Sequence, residues 1–188
     1  MKFIIGIGNP GQKYDGTRHN AGFEIVNRLA ARNKPLRGWK EIKKLQAVTA
    51  EIEQAVLVKP MTFVNQTGDS LAEIVKEYHP AIQEVLLVSD DVNLDLGKLR
   101  LRAAGSAGGH HGLESAILAL NSEEFPRLRF GVRSAQMPKD LNAYVLEKFS
   151  RDEAKEAETI LDRAVLICES WIQEGFEAAV QRLSQLQG

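Results

Sequence analysis

The chain has 188 residues, 24 lysines and arginines against 25 aspartates and glutamates, with 44% hydrophobic and 26% charged residues. These values exclude a disordered chain or a long acidic or basic tail, and they favour one domain with a sizeable core. A formal charge of −1 speaks against a polyanion partner held by bulk charge, but a sum can hide a patch.

Residues 2–8 read as a buried strand, ended by a Gly/Pro-rich loop from Gly8 to Gly16. The opening Met1-Lys2-Phe3-Ile4-Ile5 has no apolar region followed by a cleavage site, which fits a cytoplasmic protein. A helix from Ala21 to Arg32 follows, with Phe23, Val26, Leu29 and Ala30 on one face and Asn20 as its N-cap. Residues 46–59 read as two strands and a turn. A second helix opens at Asn65 or Thr67 and stops at Pro80. Val85-Leu86-Leu87-Val88 has the continuous apolar character of a strand buried on both faces and is far too short to span a bilayer.

An acidic turn is expected from Ser89 to Asn93, then an alternating strand from Lys98 to Arg102. The glycine-rich Gly105–Gly112 leads into a helix carrying Leu113, Ala116, Ile117 and Leu120, and residues 128–132 form a further strand. From about Asp152 the chain is helical, with Cys168, the single cysteine, on its apolar stripe. One cysteine excludes an intramolecular disulfide framework and a multi-cysteine zinc site. Strands interleaved with helices predict a three-layer α/β/α domain over residues 1–188, with ligands at loops beyond strand carboxyl ends.

Gly6-Ile7-Gly8-Asn9-Pro10-Gly11 matches G-x-G-x-x-G and raises a dinucleotide site. Pro10 removes an N–H from the loop, the helix starts only near Asn20, and the expected acid some 20 residues on is missing, so that reading is disfavoured. His19 differs from His79, which sits at a helix end, in lying on a loop just beyond a strand. There imidazole can serve as a general base, and Asp90 or Asp91 can orient it and stabilise its protonated form, while the other aspartate caps a turn. His110 and His111 with these aspartates do not make a recognisable metal spacing. There is no G-x-S-x-G nucleophile elbow either. A base and a carboxylate without a nucleophile point to water activated directly. Asn9 and Asn65 can donate to a carbonyl or act as turn residues, Phe63 fills space, and Tyr14 is a stacking surface or an ordinary half-buried ring. Charge is uneven: residues 28–44 hold seven basic residues and one acid, and residues 98–139 seven basic and three acids, whereas residues 140–188 hold ten acids and five basic residues. Lys98, Arg100 and Arg102 alternate, as a phosphate-binding stripe or a solvated sheet face would.

Several segments together resemble the bacterial-type peptidyl-tRNA hydrolase family. They are Gly6–Tyr14 with Thr17–Gly22, Lys59–Gly68, Asp90–Gly97, Gly108–Leu113 and Phe125–Val132, in order over nearly the whole chain. The resemblance implies a phosphorylase/hydrolase-like domain with a twisted, mixed, mostly parallel sheet, acting as a cytoplasmic monomer without metal or cofactor. The implied reaction is hydrolysis of the ester joining a peptide to the 3′-terminal ribose of tRNA. His19 would be the general base and Asp90 its orienting carboxylate. Asn9 would contact the substrate, and Asn65 would position water and carbonyl. Tyr14 and Phe63 match positions that contact the tRNA 3′ CCA end, and Arg102 and Arg129 a basic pair near the 5′ phosphate at its acceptor end. His111, where the family has Asn, remains a binding residue that cannot both donate and accept from one end. Ser89, Val64 and Glu147 depart from the family pattern without removing a proposed catalytic group. A rival is a non-hydrolytic RNA-binding splicing factor of the same fold.

Overall fold

Alternation along the apolar runs fixes the centre of the sheet. In strand β1 (Lys2–Gly6), Ile4 enters one core while Phe3 and Ile5 enter the other. Strand β4 (Ala55–Pro60) splits Leu57 from Val56 and Val58, and β5 (Val85–Asp95) splits Leu86 and Val88 from Val85 and Leu87. Such strands need cover on both faces. A computed structural model describes residues 1–187. In it, β2 (Lys40–Ile42), β3 (Ala47–Ile52), β6 (Leu99–Arg102) and β7 (Arg127–Arg133) complete a seven-stranded sheet of order β2-β3-β4-β1-β5-β7-β6.

The central pairings β4–β1, β1–β5 and β5–β7 are parallel, and the flanking ones are antiparallel. The parallel order expected over most of the sheet therefore holds at its centre. The two-residue connection Glu53–Gln54 between β3 and β4 permits only an antiparallel return.

Helices α1 (Ala21–Asn33), α5 (Arg151–Glu174) and α6 (Phe176–Gln187) cover one face. Helices α2 (Thr67–Tyr78) and α3 (His111–Leu120) cover the other, giving the predicted three layers. The C-terminal helical region is two helices because Gly175 takes φ +97°, a conformation that ends α5. Two short elements carry no sequence signal of their own, β2 and the five-residue α4 (Leu141–Val145).

The glycines of the opening motif serve helix packing. A Cβ on Gly22 would collide with the backbone of Ile7 and the Val88 carbonyl, and one on Gly6 with the Gly22 carbonyl. Helix α1 therefore starts flush on β1 and β5, beyond the G-x-G-x-x-G segment and not within it.

Two local expectations are corrected. The acidic turn at Ser89–Asn93 is strand: β5 runs to Asp95, with Ser89, Asp90 and Asp91 buried and paired with Arg129, Phe130 and Gly131 of β7. Interstrand pairing there overrides the turn propensity of the polar residues. Asn20 sits at the N-cap of α1, but its side chain makes no cap bond. Its Oδ1 accepts the Asn9 N–H at 2.9 Å and its Nδ2 donates to the Asn9 carbonyl at 3.0 Å, bracketing the loop after β1.

Candidate active site

The loops after β1 and β4 and the extended end of β5 converge at the carboxyl ends of the parallel strands, where a ligand cleft is expected. Two adjoining cavities of about 340 and 430 Å³ open there and share His19, His111, Asn142 and Val145. The first also reaches Asp90 and His110; the second is walled by Asn9, Tyr14, Phe63 and Asn65.

His19 is held by a short 3-10 turn, Arg18–Asn20, at the start of α1. The turn is anchored from both sides. Asn20 brackets Asn9, while the buried Arg18 guanidinium donates to the Tyr144, Glu147 and Lys148 carbonyls at 3.3, 3.3 and 3.1 Å and pairs with Glu153 at 2.8 Å. It also lies over the Tyr144 ring, 4.0 Å from its centre. Neither anchoring role was predicted from sequence. Both rest mainly on backbone groups, which leave no pattern in the chain.

Asp90, 1% exposed, accepts two histidine bonds on a single oxygen: His19 Nδ1 lies 2.8 Å and His110 Nε2 3.0 Å from Oδ1. The tautomer of His110 is dictated by its own backbone. The N–H groups of Gly112 and Leu113 donate to its Nδ1 at 3.1 and 3.2 Å, so its proton resides on Nε2 and faces Asp90. His110 is thus both the N-cap of α3 and a second donor to Asp90. Sequence reading weighed it only as a metal ligand. The Gly-Gly-His run before an apolar-periodic helix was the available signal.

With Nδ1–H given to Asp90, His19 retains Nε2 as the ring atom available to the cleft. Burial lowers the His19 pKa, but the Asp90 charge and hydrogen bond outweigh it and raise the value above the usual 6.5. Burial pushes Asp90 upward, yet the two histidines hold its carboxyl well below the ordinary carboxylate range. His19 Nδ1, Asp90 Oδ1 and His110 Nε2 lie within 4.8 Å of one another, a spacing a divalent cation accepts. The hydrogen bonds oppose it: a metal on Nε2 of His110 would put that ring's proton on Nδ1, against two N–H donors. These residues do not fit a metal.

Asn9 is buried, and its Oδ1 accepts the Val64 N–H at 3.0 Å, which leaves Nδ2 as the donor it offers to the cleft. Asn65, exposed on the 3-10 turn before α2, has no side-chain hydrogen bond among the described residues. Tyr14 and Phe63 form an edge-to-face pair with centroids 6.5 Å apart, and Phe63 is 51% exposed, more than a space-filling residue needs. His111 faces all this from α3, exposed, with Nδ1 2.9 Å from Glu114 Oε2. Asp91 is buried on β5: its Oδ1 accepts the Asn93 N–H at 2.8 Å and its Oδ2 lies 3.2 Å from Arg129 Nη1. Arg102 is exposed on β6 opposite Arg127, and Arg129 of β7 lies opposite Arg100, both away from the cleft lining. Asn142, Val145 and Leu146, around α4, line the cleft and were not foreseen.

Residues 3–187 match the family model described as peptidyl-tRNA hydrolase. The chain is similar to the peptidyl-tRNA hydrolase of Clostridium acetobutylicum, 38% identical over 99% of each chain. It is similar to that of Thermoanaerobacter pseudethanolicus, 41% identical over 98% of this chain and the whole of that one. Among solved structures, peptidyl-tRNA hydrolase from Acinetobacter baumannii superposes with a TM-score of 0.89 at 28% identity, over all of this chain and 95% of that one. A peptidyl-tRNA hydrolase in complex with n-propanol superposes equally well, at 0.89 and 29% identity, over all of this chain and 95% of that one.

Proposed function

The chain belongs to the peptidyl-tRNA hydrolase family, and from that membership we propose how its cleft carries out the reaction. The protein hydrolyses the ester between a peptide and the 3′-terminal ribose of tRNA, returning the tRNA to translation. The observation that carries the mechanism is the 2.8 Å contact of His19 Nδ1 with Asp90 Oδ1, which leaves Nε2 to the cleft.

Nε2 of neutral His19 removes a proton from a water molecule as the water oxygen bonds to the ester carbonyl carbon. The imidazolium that forms is stabilised by buried Asp90. The amide N–H of Asn65 meets the carbonyl oxygen as it gains negative charge. The carbon–oxygen bond to ribose then breaks, and His19 returns its proton to the departing 3′-oxygen. An ester expels an alkoxide more easily than an amide expels nitrogen, so one histidine handles both proton transfers. His110 supports this indirectly, since its Nε2–H shares Oδ1 with His19 and fixes the carboxylate.

Asn9, presenting Nδ2, contacts the peptide portion, and Tyr14 with Phe63 offers the terminal bases a stacking edge. His111 binds substrate beside them. Its Nδ1 is directed at Glu114, so Nε2 is the atom left for the ligand. Arg102 and the arginine face around Arg129 meet the phosphates of the acceptor end, a contact that positions without reading sequence. The scheme draws every group from a single chain and needs no residue of a partner subunit. The substrate and the single buried cysteine support a cytoplasmic setting. No helix among the described residues is long and apolar enough to cross a membrane. The non-hydrolytic RNA-binding alternative is not favoured, because it needs the basic face but no histidine–carboxylate pair.

The test is release of an N-acetylated amino acid from tRNA by the wild type and His19→Ala. The wild type should turn over, and the variant should lose roughly 10² to 10⁴ in kcat with tRNA binding kept. An inactive wild type defeats the hydrolase reading; an active variant defeats His19 as base.

A further inference from the structure

An arginine next to a catalytic base is placed in sequence to meet an anionic substrate, but Arg18 turns away from the cleft. It is 4% exposed and lines neither cavity. Its guanidinium enters the corner between α4 and α5, directly after the cleft wall that carries Asn142 and Val145.

The corner is built to receive it. The guanidinium lies over the Tyr144 ring at 4.0 Å and reaches the Phe149 ring at 5.4 Å. Nη1 donates to the Tyr144, Glu147 and Lys148 carbonyls, and Nη2 to Glu153 Oε2 at 2.8 Å. That same oxygen accepts the Ser150 N–H at 2.7 Å, so the carboxylate that neutralises Arg18 also closes the capping box of α5. The Tyr144 hydroxyl donates to the Val132 carbonyl at 2.6 Å and fastens α4 to β7. The backbone runs alongside: the Arg18 N–H donates to the Glu147 carbonyl at 3.0 Å, and Thr17 forms an antiparallel bridge with Lys148.

We propose that Arg18 is the positioning residue of the base: its guanidinium sets where the His19 imidazole stands, by joining the turn that carries it to the α4–α5 corner. The inference rests on the hydrolase reading above. A three-residue 3-10 turn, with its poorer hydrogen-bond geometry, does not by itself fix a side chain. Asn20 restrains the turn on the side of the β1 loop only. Arg18 supplies the opposite restraint, because one planar fork reaches a carboxylate and several carbonyls together. His19 has to meet Asp90 and present Nε2 to the cleft, so a turn that swings away weakens both at once.

The experiment is steady-state hydrolysis of N-acetyl-aminoacyl-tRNA across pH by the wild type, Arg18→Lys, Glu153→Gln, Asp90→Asn and the double variant Arg18→Lys/Asp90→Asn. Leu161→Ala, a cavity in the α5 core, is the control for lost stability. Lysine keeps the charge but puts a single ammonium where the fork spans several partners. Arg18→Lys should therefore lower kcat about tenfold to a hundredfold, with KM within about threefold. The rising limb of its kcat/KM profile should move to lower pH, because the Asp90 contact that raises the His19 pKa is loosened. Glu153→Gln can keep the Ser150 bond and removes the countercharge, so it should move kcat and the limb the same way by less. In the Asp90→Asn background Arg18→Lys should cost less than it does alone, since both act on one contact. Leu161→Ala should lower the denaturation midpoint, keep kcat within about twofold and leave the limb in place. Should Arg18→Lys not fold, Glu153→Gln set against Leu161→Ala supplies the same readout. An unchanged kcat, a limb that stays in place, losses that add to those of Asp90→Asn, or the same changes in Leu161→Ala each overturn the proposal. An inactive wild type would instead sink the hydrolase reading, and this inference with it.

Discussion

Asp90 Oδ1 gathers both histidine N–H groups on one atom. His110 earns its place twice, because the same ring caps α3 with Nδ1 and bonds Asp90 with Nε2. The two roles separate by substitution. His110→Ala removes both and should cost about 1 kcal/mol of stability, from the lost cap, together with a fall in kcat. His110→Asn keeps a good cap and should unfold close to the wild type in denaturant while kcat still falls. Equal kcat in His110→Asn and the wild type would mean the Asp90 bond does nothing for turnover. At this scale the sequence was informative where chemistry is intrinsic to the side chain. Residue type and position beyond a strand marked His19 and left Asp90 or Asp91 as its partner, the family resemblance chose Asp90, and the two, 71 positions apart, lie at 2.8 Å. Arg18 and Asn20 were illegible because their partners, mostly backbone groups, are brought to them only by the fold.

At the scale of elements, the cleft depends on how closely α1 meets the sheet. Gly22 sits on the Ile7 backbone and the Val88 carbonyl with no room for a methyl group. Gly22→Ala should destabilise by about 3 kcal/mol, at the upper end for overpacking, seen as a lower denaturation midpoint with an unchanged slope. A midpoint within experimental scatter of the wild type would show that α1 can shift away without penalty. The long periodic elements were legible: α1, α2 and α3, and the apolar starts of β1 and β5, are where the apolar period placed them. The polar end of β5 was not, since Ser-Asp-Asp has turn character and only the ladder to β7 makes it strand. Helix α4, five residues long, is too short for periodicity to reveal, yet it closes one wall of the cleft through Asn142 and Val145.

For the whole molecule, the formal charge of −1 is the cancellation of unlike regions. Part of the basic stretch at 28–44 is neutralised locally. Arg28 binds Glu24, Glu158 and Asp162, and Arg32 binds Glu169, so these charges join α1 to the acidic α5. The arginines of β6 remain outward, on the face opposite Leu99 and Leu101, which enter the core. Affinity for tRNA should therefore depend on salt through a few local charges. The slope of log affinity against log salt should correspond to only a few phosphate contacts, and Arg102→Gln should reduce it by about one. A slope unaffected by the β6 arginines would place the RNA elsewhere. Composition alone pointed away from a polyanion, and only the exposure and hydrogen bonding of the β6 and β7 arginines separate free charge from charge held within the fold.

The central claim is that neutral His19 takes the proton of water while Asp90 holds its ring and raises its pKa. Both histidines donate to one Asp90 oxygen, so Asp90→Asn with its carbonyl oxygen in that place keeps the two bonds and removes the charge. The direct measurement is kcat/KM against pH for the wild type and Asp90→Asn on N-acetyl-aminoacyl-tRNA. In the wild type the rate should rise with pH through an apparent pKa above 6.5, as His19 loses its proton. In Asp90→Asn the carboxylate charge no longer offsets burial, so the rising limb should move to lower pH while the plateau falls. A limb that stays in place when the Asp90 charge is gone would contradict the account.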